Sequence, residues 1–361
     1  MIRFFFPVFI IAVFGCGGSK QPGDSTRTPS GGDTLWVNLD TAVYDFSPKS
    51  KVAPVNVSGQ TWAMEWGAQL NQQKRFVIEF GAEVASVEAY AGFDAAYTFV
   101  LKNESGQIVF SKTLAKKDFR DVADWACLTL SNAELPEFVG YLPAFRAFAF
   151  TIDFWTPDSD VGETCLVMLN EKGDIIQNCI CNSYGGNGCD GGITISDDGT
   201  FLTTCYKMIH ADGRVVNLLS DPLEQVGVFL INNHTVLVIR AYDDKNNERN
   251  AVLLDKTGKV IHTFTYNGYY ETLDYVVPMA FEPRSKNYYL LDVSGKKLTV
   301  IPQQNPVGLT SINFTALPVL DGPQMPGELP VKLEIEDTSF VFYTDPSGQP
   351  VRYKSSVKNE D

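Results

Sequence analysis

The chain has 361 residues and a formal net charge of −14, with 29 Lys and Arg against 43 Asp and Glu. No basic cluster stands against this acidic balance, which excludes nucleic acid as a partner. Hydrophobic residues make up 44% of the sequence and aromatic residues 12%, which suffices for a substantial core and excludes a wholly disordered chain.

The first sixteen residues have the layout of an export signal. Arg3 precedes an apolar run from Phe4 to Phe14, and the small residue Gly15 stands before Cys16. A charged start, a short apolar segment and a small residue at the cleavage point are typical of a secretory signal peptide. The apolar run is well below the ~20 residues that a membrane-spanning helix needs. We therefore predict that residues 1–15 are a cleaved signal peptide and that the protein is exported.

The segment Val13-Phe14-Gly15-Cys16 resembles the bacterial lipobox. The resemblance implies that Cys16 is lipidated, becomes the mature N-terminus and anchors the protein to a bacterial membrane of the cell envelope. Two or three acyl chains give stable anchoring, whereas a single chain is marginal. The sequence does not distinguish the inner from the outer membrane, and the alternative to lipidation is an ordinary signal peptide in which Cys16 is incidental.

Residues 17–34 contain almost no large apolar side chain and are dominated by Gly, Ser, Thr, Pro and Asp. Such a stretch cannot bury enough surface to fold. We therefore predict that residues 16–34 form a lipidated cysteine with a flexible leash, and that residues 35–356 form the folded body.

Beyond Cys16 the cysteines of the sequence are Cys127, Cys165, Cys179, Cys181, Cys189 and Cys205. An even number in an exported chain indicates disulfides, although the spacing leaves their connectivity open. Most of these cysteines fall between positions 165 and 205, so the crosslinks should be concentrated there. Free thiols and a metal site are the alternatives. The C-x-C spacing and the lack of an accompanying histidine are unlike a zinc site, and we expect no cofactor.

The sequence of the folded body predicts many short strands joined by polar turns. These turns end in glycine, which readily adopts a positive φ. These turns are centred on Gly106, Gly173, Gly213, Gly258, Gly295 and Gly348. From Gly173 to Gly295 the intervals are close to the roughly 40 residues of a four-stranded propeller blade. Further hairpin patterns occur at 193–202, 228–238 and 279–290.

This pattern resembles the broad β-propeller superfamily, well over 160–355 and loosely over 36–155. No family signature such as a Trp-Asp dipeptide is present, so the resemblance implies an architecture and no particular family. We expect an all-β propeller of about six to eight blades. The alternative is an N-terminal β-sandwich followed by a smaller propeller of about four or five blades, divided near 155–160.

The long interval between Gly106 and Gly173 predicts a short helical insertion near 114–142. Ser131-Asn-Ala-Glu134 within it has the pattern of a helix capping box.

Two glycine-containing loops carry the candidate binding residues. Residues 182–192 hold five glycines, and a disulfide at the bracketing Cys181 and Cys189 would hold Tyr184 and Asn187 out for contact. Tyr269 and Tyr270 belong to a tyrosine cluster around a glycine turn, and such tyrosines can stack on sugars or anchor a protein. For the first loop, the alternative is a linker between two blades that a disulfide stabilises. For the tyrosines, the alternative is packing against neighbouring blades.

The sequence offers no compelling catalytic set. The paired acids are Asp158/Asp160, Asp197/Asp198 and Asp243/Asp244. Such pairs can bind Ca²⁺ or act as acid and base in glycoside cleavage, but solvated acids are ordinary in polar turns. The histidines are His210, His234 and His262, each beside a predicted turn. We expect an envelope lipoprotein that binds a protein or glycan, with an extracytoplasmic polysaccharide hydrolase or lyase as the alternative and Ca²⁺ as the candidate ion.

Overall fold

The computed structural model describes residues 44–79, 89–184, 188–218, 225–241, 249–271, 275–320 and 322–357. The chain divides into two units, Met1–Leu35 and Trp36–Asp361, and the described residues all belong to the second. The predicted signal peptide, Cys16 and the leash lie outside the described residues, and so does Asn187. In the part of the chain that is described, no helix is long and apolar enough to cross a membrane.

The described chain is almost entirely β structure and forms six successive sheets of antiparallel strands. Sheet 1 contains β1 (Lys49–Val57), β2 (Gln60–Glu79), β3 (Ala89–Lys102) and β4 (Ile108–Ala115). Sheet 2 contains β5 (Glu137–Leu142), β6 (Ala147–Trp155), β7 (Gly162–Asn170) and β8 (Ile175–Tyr184). Sheet 3 contains β9 (Thr194–Ile195), β10 (Phe201–Thr203), β11 (Lys207–His210) and β12 (Val215–Asn217).

The second half of the chain continues the same pattern. Sheet 4 contains β13 (Gln225–Asn232), β14 (Thr235–Arg240), β15 (Ala251–Asp255) and β16 (Val260–Phe264). A two-stranded hairpin of β17 (Tyr270–Glu271) and β18 (Tyr275–Val276) follows. Sheet 5 contains β19 (Met279–Glu282), β20 (Asn287–Asp292), β21 (Lys297–Pro302) and β22 (Thr310–Asn313). Sheet 6 contains β23 (Leu329–Ile335), β24 (Thr338–Thr344) and β25 (Pro350–Val357).

Sheets 1 to 5 are simple meanders in which each strand pairs with the next. Sheet 6 differs, because Val319 bridges Tyr353 in parallel and residues 318–320 therefore run along the outside of β25. Short 3₁₀ helices lie at Lys116–Phe119, Pro306–Gly308 and Phe314–Ala316.

The sheets pack face to face in chain order. One apolar cluster lies between sheets 1 and 2, and further clusters join sheets 2 and 3, 3 and 4, 4 and 5, and 5 and 6. A series of four-stranded meanders stacked in this way is the arrangement of propeller blades. The predicted all-β, propeller-type fold is therefore confirmed, with six blade-like sheets among the described residues.

Strand alternation explains why sheet 2 packs on both neighbours. Phe148, Phe150 and Phe154 of β6 point into the cluster shared with sheet 1, whereas Ala147 and Ala149 point toward sheet 3. Large rings on one face and small side chains on the other set how closely each neighbour approaches. A buried phenylalanine contributes roughly 1.5–3 kcal/mol, so the boundary with sheet 1 is a major source of stability.

The outward face of each terminal sheet carries an ion pair. On the outward face of sheet 1, Lys102 Nζ and Glu65 Oε1 form an ion pair of 2.6 Å, and on that of sheet 6 Lys332 pairs with Glu334 at the same distance. No apolar cluster among the described residues joins sheet 6 to sheet 1.

The predicted helical insertion is confirmed, but its start lies elsewhere. Helix α1 spans Trp125–Leu130, and the N-cap is Asp124, whose carboxylate accepts hydrogen bonds from the backbone of Ala126 and Cys127. Ser131, expected to begin a helix, is instead the C-cap. The nearby Pro136 lacks a backbone donor, and the chain after Ser131 has no regular secondary structure until β5 begins at Glu137.

The turn at 156–161 joins strands of one sheet, because Trp155 of β6 pairs with Gly162 of β7. A domain boundary near 155–160 would cut through this pairing, and sheet 1 packs on sheet 2 as one blade packs on the next.

The glycine-turn prediction holds for sheets 1 to 4, where the glycine joins the third and fourth strands. Gly173 is representative, with φ of +83°. Gly295 is the exception, because it joins the second and third strands of sheet 5 and the positive φ of +53° falls on Lys296. Its interval of about 40 residues therefore does not mark the same place in a blade.

Candidate functional site

The candidate site lies at one end of the sheets. In a four-stranded meander, the turn between the second and third strands lies at the same end as the link to the next sheet. We call this the upper end of sheets 1 to 5. It holds α1, the β6–β7 turn, the link containing Cys189, and the link containing Tyr269.

Two aromatic rings stack at the upper end of sheet 2. Trp155, Gly162 and Tyr184 are register partners across β6, β7 and β8 and therefore share one face. The Trp155 and Tyr184 rings have centroids 4.7 Å apart and planes inclined by 27°. A Cβ atom on Gly162 would lie 2.7 Å from Trp155 Cδ2, so the absence of a side chain there makes room for the indole. Both aromatic residues are half-buried.

The next residue row on the same face is polar. Asp153, Thr164 and Asn182 are register partners, and Thr164 Oγ1 donates to Asp153 Oδ1 at 2.6 Å. Burial raises the pKa of the Tyr184 hydroxyl, a hydrogen bond with Thr164 opposes this, and the Asp153 charge adds to the rise. The Tyr184 hydroxyl and the Asp153 carboxylate therefore face the same small region beside the ring stack.

The link after β8 is fastened to its surroundings at Cys189 and Asp190. The Asn182 side chain both donates to Cys189 O and accepts from Cys189 N, each at 3.2 Å. The Asp190 backbone pairs with Val226 and Val228 of β13, and its carboxylate accepts the Val277 N–H at 2.8 Å. Burial raises the pKa of the Asp190 carboxyl. The link after β8 thus connects the upper end of sheet 2 to β13 of sheet 4 and to Val277, which precedes sheet 5.

One of the predicted disulfides is present. Cys189 is bonded to Cys205, and such a bond is typical of an extracytoplasmic protein. The prediction is wrong for Cys165, Cys179 and Cys181, which are free and buried. Cys179 and Cys181 face sheet 3, whereas Cys165 faces sheet 1, so β7 and β8 hold them on opposite sides of sheet 2.

Cys127 of α1 is buried in the cluster between sheets 1 and 2. The 182–192 loop is not closed by a bond between Cys181 and Cys189. It is instead fastened to the β10–β11 turn, which carries Cys205.

The other predicted tyrosines also lie at the upper end. The Tyr269 ring meets Tyr275 edge-on at 5.6 Å and packs against the cluster between sheets 4 and 5. Tyr270 is half-buried in β17, where it pairs with Val276. Within the described part of the chain, neither has a ring contact with Tyr184. Packing between sheets accounts for Tyr269.

A second group of aromatic residues lies at the upper end of sheet 1. The Trp125 ring stacks on Phe76 at 5.5 Å, and the Arg120 guanidinium lies 3.9 Å from the Trp125 ring centre. Nearby, Glu163 Oε2 accepts the Asp124 N–H at 2.6 Å. Glu163 alternates with Gly162 along β7 and therefore points to the other face of sheet 2, away from the Trp155–Tyr184 stack.

The candidate catalytic residues are not brought together. Asp158 and Asp160 lie exposed in the β6–β7 turn, and Asp198 closes its own turn by accepting from Thr200 N. Asp243 and Asp244 lie outside the described residues.

The histidines form no catalytic set with these acids. His210 is buried, with Nδ1 3.3 Å from the Arg214 guanidinium. His234 follows β13 in a turn, and His262 lies within β16. No group of three or more His, Cys, Asp or Glu residues in the described ranges could hold a metal ion.

A shallow groove of about 430 Å³ lies at the opposite, lower end. It is lined by Asn56, Ser58, Gly59, Tyr141, Pro143 and Arg146. Glu171 accepts hydrogen bonds there from the Tyr141 hydroxyl at 2.7 Å and from Arg146 at 2.6 Å. The groove's cation is therefore already neutralised.

No protein-family model and no curated protein matches the sequence. Solved structures with some similarity include AztD from Citrobacter koseri, at 12% identity over 86% of this chain and 90% of that chain, with a TM-score of 0.32. A streptogramin B lyase has 12% identity over 87% of this chain and 89% of that one, with a TM-score of 0.28. A chain of a nidogen/laminin complex has 10% identity over 73% and 96%, with a TM-score of 0.27. These values carry no argument about function.

Proposed function

We propose that this chain is an exported, lipid-anchored protein of the bacterial cell envelope that binds a glycan at the upper end of sheet 2. The Trp155–Tyr184 ring stack, with a carboxylate beside it, is the observation that carries the proposal. Flat aromatic faces bind the C–H surfaces of sugar rings, and a carboxylate accepts hydrogen bonds from their hydroxyl groups.

The fixed geometry of this site favours a binding role. Trp155 is seated over Gly162, and Asp153 is held by Thr164. Because the rings and the carboxylate belong to paired strands, little conformational freedom is lost when a ligand binds.

The size of the site favours a glycan over a protein. Two stacked rings and one carboxylate match one or two sugar units, whereas a stable protein interface buries about 1,200–2,000 Å² around an apolar centre. Beside the stack, the β6–β7 turn carries exposed Asp158 and Asp160, with Val161 as its exposed apolar residue.

Export and anchoring rest on the N-terminal sequence, with support from the Cys189–Cys205 bond. Cells fed labelled palmitate should incorporate label into the native chain and not into the Cys16→Ser variant, and only the native chain should sediment with membranes. Label in both chains, or sedimentation of both, would contradict Cys16 as the anchor.

Glycan binding is tested with the full chain in detergent micelles by affinity electrophoresis through gels that contain envelope polysaccharides. Trp155→Ala should weaken binding about tenfold, which corresponds to about 1.4 kcal/mol of lost ring contact. Trp125→Ala is the matched control, because Trp125 lies at the same end but outside the stack. Equal retardation of the native chain and Trp155→Ala in every gel would contradict the proposal. Trp155-dependent crosslinking to an envelope protein, without glycan binding, would replace the glycan with a protein ligand.

A further inference from the structure

We infer that the bound glycan carries a free amino group, and that Asp153, Trp155 and Tyr184 together receive its ammonium. This inference rests on the proposed glycan site and names the chemical class of its ligand.

The position of Asp153 relative to the rings is the first argument. Asp153 lies two residues before Trp155 on β6, so both side chains project from the same face. The carboxylate is half-buried, and Thr164 Oγ1 orients it through Oδ1. Aromatic faces attract cations by about 0.5–2 kcal/mol, with tryptophan the strongest. A carboxylate beside two such rings is therefore suited to an ammonium group.

The charge of the surroundings is the second argument. Asp158 and Asp160 lie in the adjoining turn, and Asp190 lies in the link that follows β8. The whole chain carries a net charge of −14. Anionic polysaccharides would meet a repulsive field at this end, whereas a cationic ligand would be attracted.

The missing counter-charge is the third argument. The ion pairs formed by the described residues do not include Asp153. On the face of sheet 2 that carries Asp153, Lys207 of β11 lies close enough to act on the Cys179 thiol, and the ion pairs of the described residues do not join Lys207 to Asp153. A partly buried carboxylate gains more from an opposite charge than an exposed one does, because water screens the interaction less. A ligand ammonium would supply that charge.

The test compares three oligosaccharides of matched length by calorimetric titration of the full chain in detergent micelles. They are a glucosamine oligomer with free amines, its N-acetylated counterpart, and an oligouronate. The glucosamine oligomer should bind at least tenfold more tightly than the N-acetylated one, and its affinity alone should fall with added salt. Asp153→Asn, which keeps an oxygen to accept from Thr164, should abolish this preference. Asp212→Asn, in the exposed β11–β12 turn, is the control for removal of one negative charge.

Each other outcome has a separate meaning. Equal binding of the two glucosamine-based oligomers, still dependent on Trp155, would overturn the ammonium site and leave glycan binding intact. Tightest binding of the oligouronate would overturn it as well. Failure of all three ligands, together with no Trp155-dependent binding to any envelope polysaccharide, would overturn both the inference and the proposed function.

Discussion

Glu163 gives a quantitative test of how α1 is held against sheet 2. Burial raises the pKa of its carboxyl from an ordinary 4.5 to about 7, the Asp124 N–H opposes this rise, and the Asp124 charge adds to it. Because the folded-state pKa lies above the unfolded value, the stabilisation by the protonated form is fully present below about pH 4.5 and is lost as the pH rises through 7. The difference between the two values corresponds to about 3 kcal/mol, reduced to about 2–3 kcal/mol by solvent at this partly exposed group.

Glu163→Gln is neutral at every pH and can still accept the Asp124 N–H. It should therefore be about 2–3 kcal/mol more stable than the native chain at pH 8 and close to it at pH 4.5. Urea denaturation followed by circular dichroism at both pH values measures this difference. Glu336→Gln, in the exposed β23–β24 turn, is the control substitution. A stability difference between Glu163→Gln and the native chain that does not change with pH would refute the reasoning.

Three further predictions concern the stack, the disulfide and a buried lysine. Gly162→Ala should displace the Trp155 indole, cost about 1–3 kcal/mol and remove the near-ultraviolet dichroism of the stack; an unchanged spectrum would count against the geometry. Replacing Cys189 and Cys205 with serine should lower the free energy of unfolding by about 3 kcal/mol, as expected for a loop of this length, and an unchanged urea midpoint would contradict this. Burial lowers the pKa of Lys116 to about 7, although nearby Asp94 opposes the shift, so the cost of burying its charge is full below pH 7 and is relieved as the pH rises. The free energy of unfolding of the native chain should therefore rise, relative to that of Lys116→Met, by about 1.4 kcal/mol per pH unit between pH 7 and 10. A difference between the two chains that does not change with pH would contradict this.

Much of the fold follows from local sequence patterns. Alternation of large and small side chains in β6 and the hairpin at 279–290 predict strands that the structure contains. The glycine turns were expected to recur at the same place in each blade, but the Gly295 turn joins the second and third strands of sheet 5. Lys296, rather than Gly295, takes the positive φ there. In sheet 6 the predicted Gly348 turn joins β24 to β25, whereas the parallel bridge of Val319 to Tyr353 could not be predicted.

The site was only partly predictable. Tyr184 was recognised from its glycine-rich loop, whereas Trp155, Gly162 and Asp153 were missed. The Trp155–Gly162 pairing could have been inferred from the short turn between these residues. Placing Tyr184 beside them needs the β7–β8 register, which two irregularities shift. Such shifts depend on tertiary packing and leave no clear sequence signal.

The cysteine count predicted more disulfides than the structure contains among the described residues, for a related reason. An even number of cysteines in an exported chain favours disulfides, but it says nothing about which face of a strand each residue occupies. Cys165 and Cys179 fill core positions as small apolar side chains, on opposite faces of sheet 2.

The central claim, glycan binding at the Trp155–Tyr184 stack, is tested most directly by fluorine NMR of protein labelled with 5-fluorotryptophan. The chain has 5 tryptophans, so single substitutions can assign the Trp155 and Trp125 resonances. On titration with a glucosamine oligomer, the Trp155 resonance should shift and saturate while the Trp125 resonance stays in place. A Trp155 resonance that is unmoved by this oligomer and by every envelope polysaccharide tested would contradict the account.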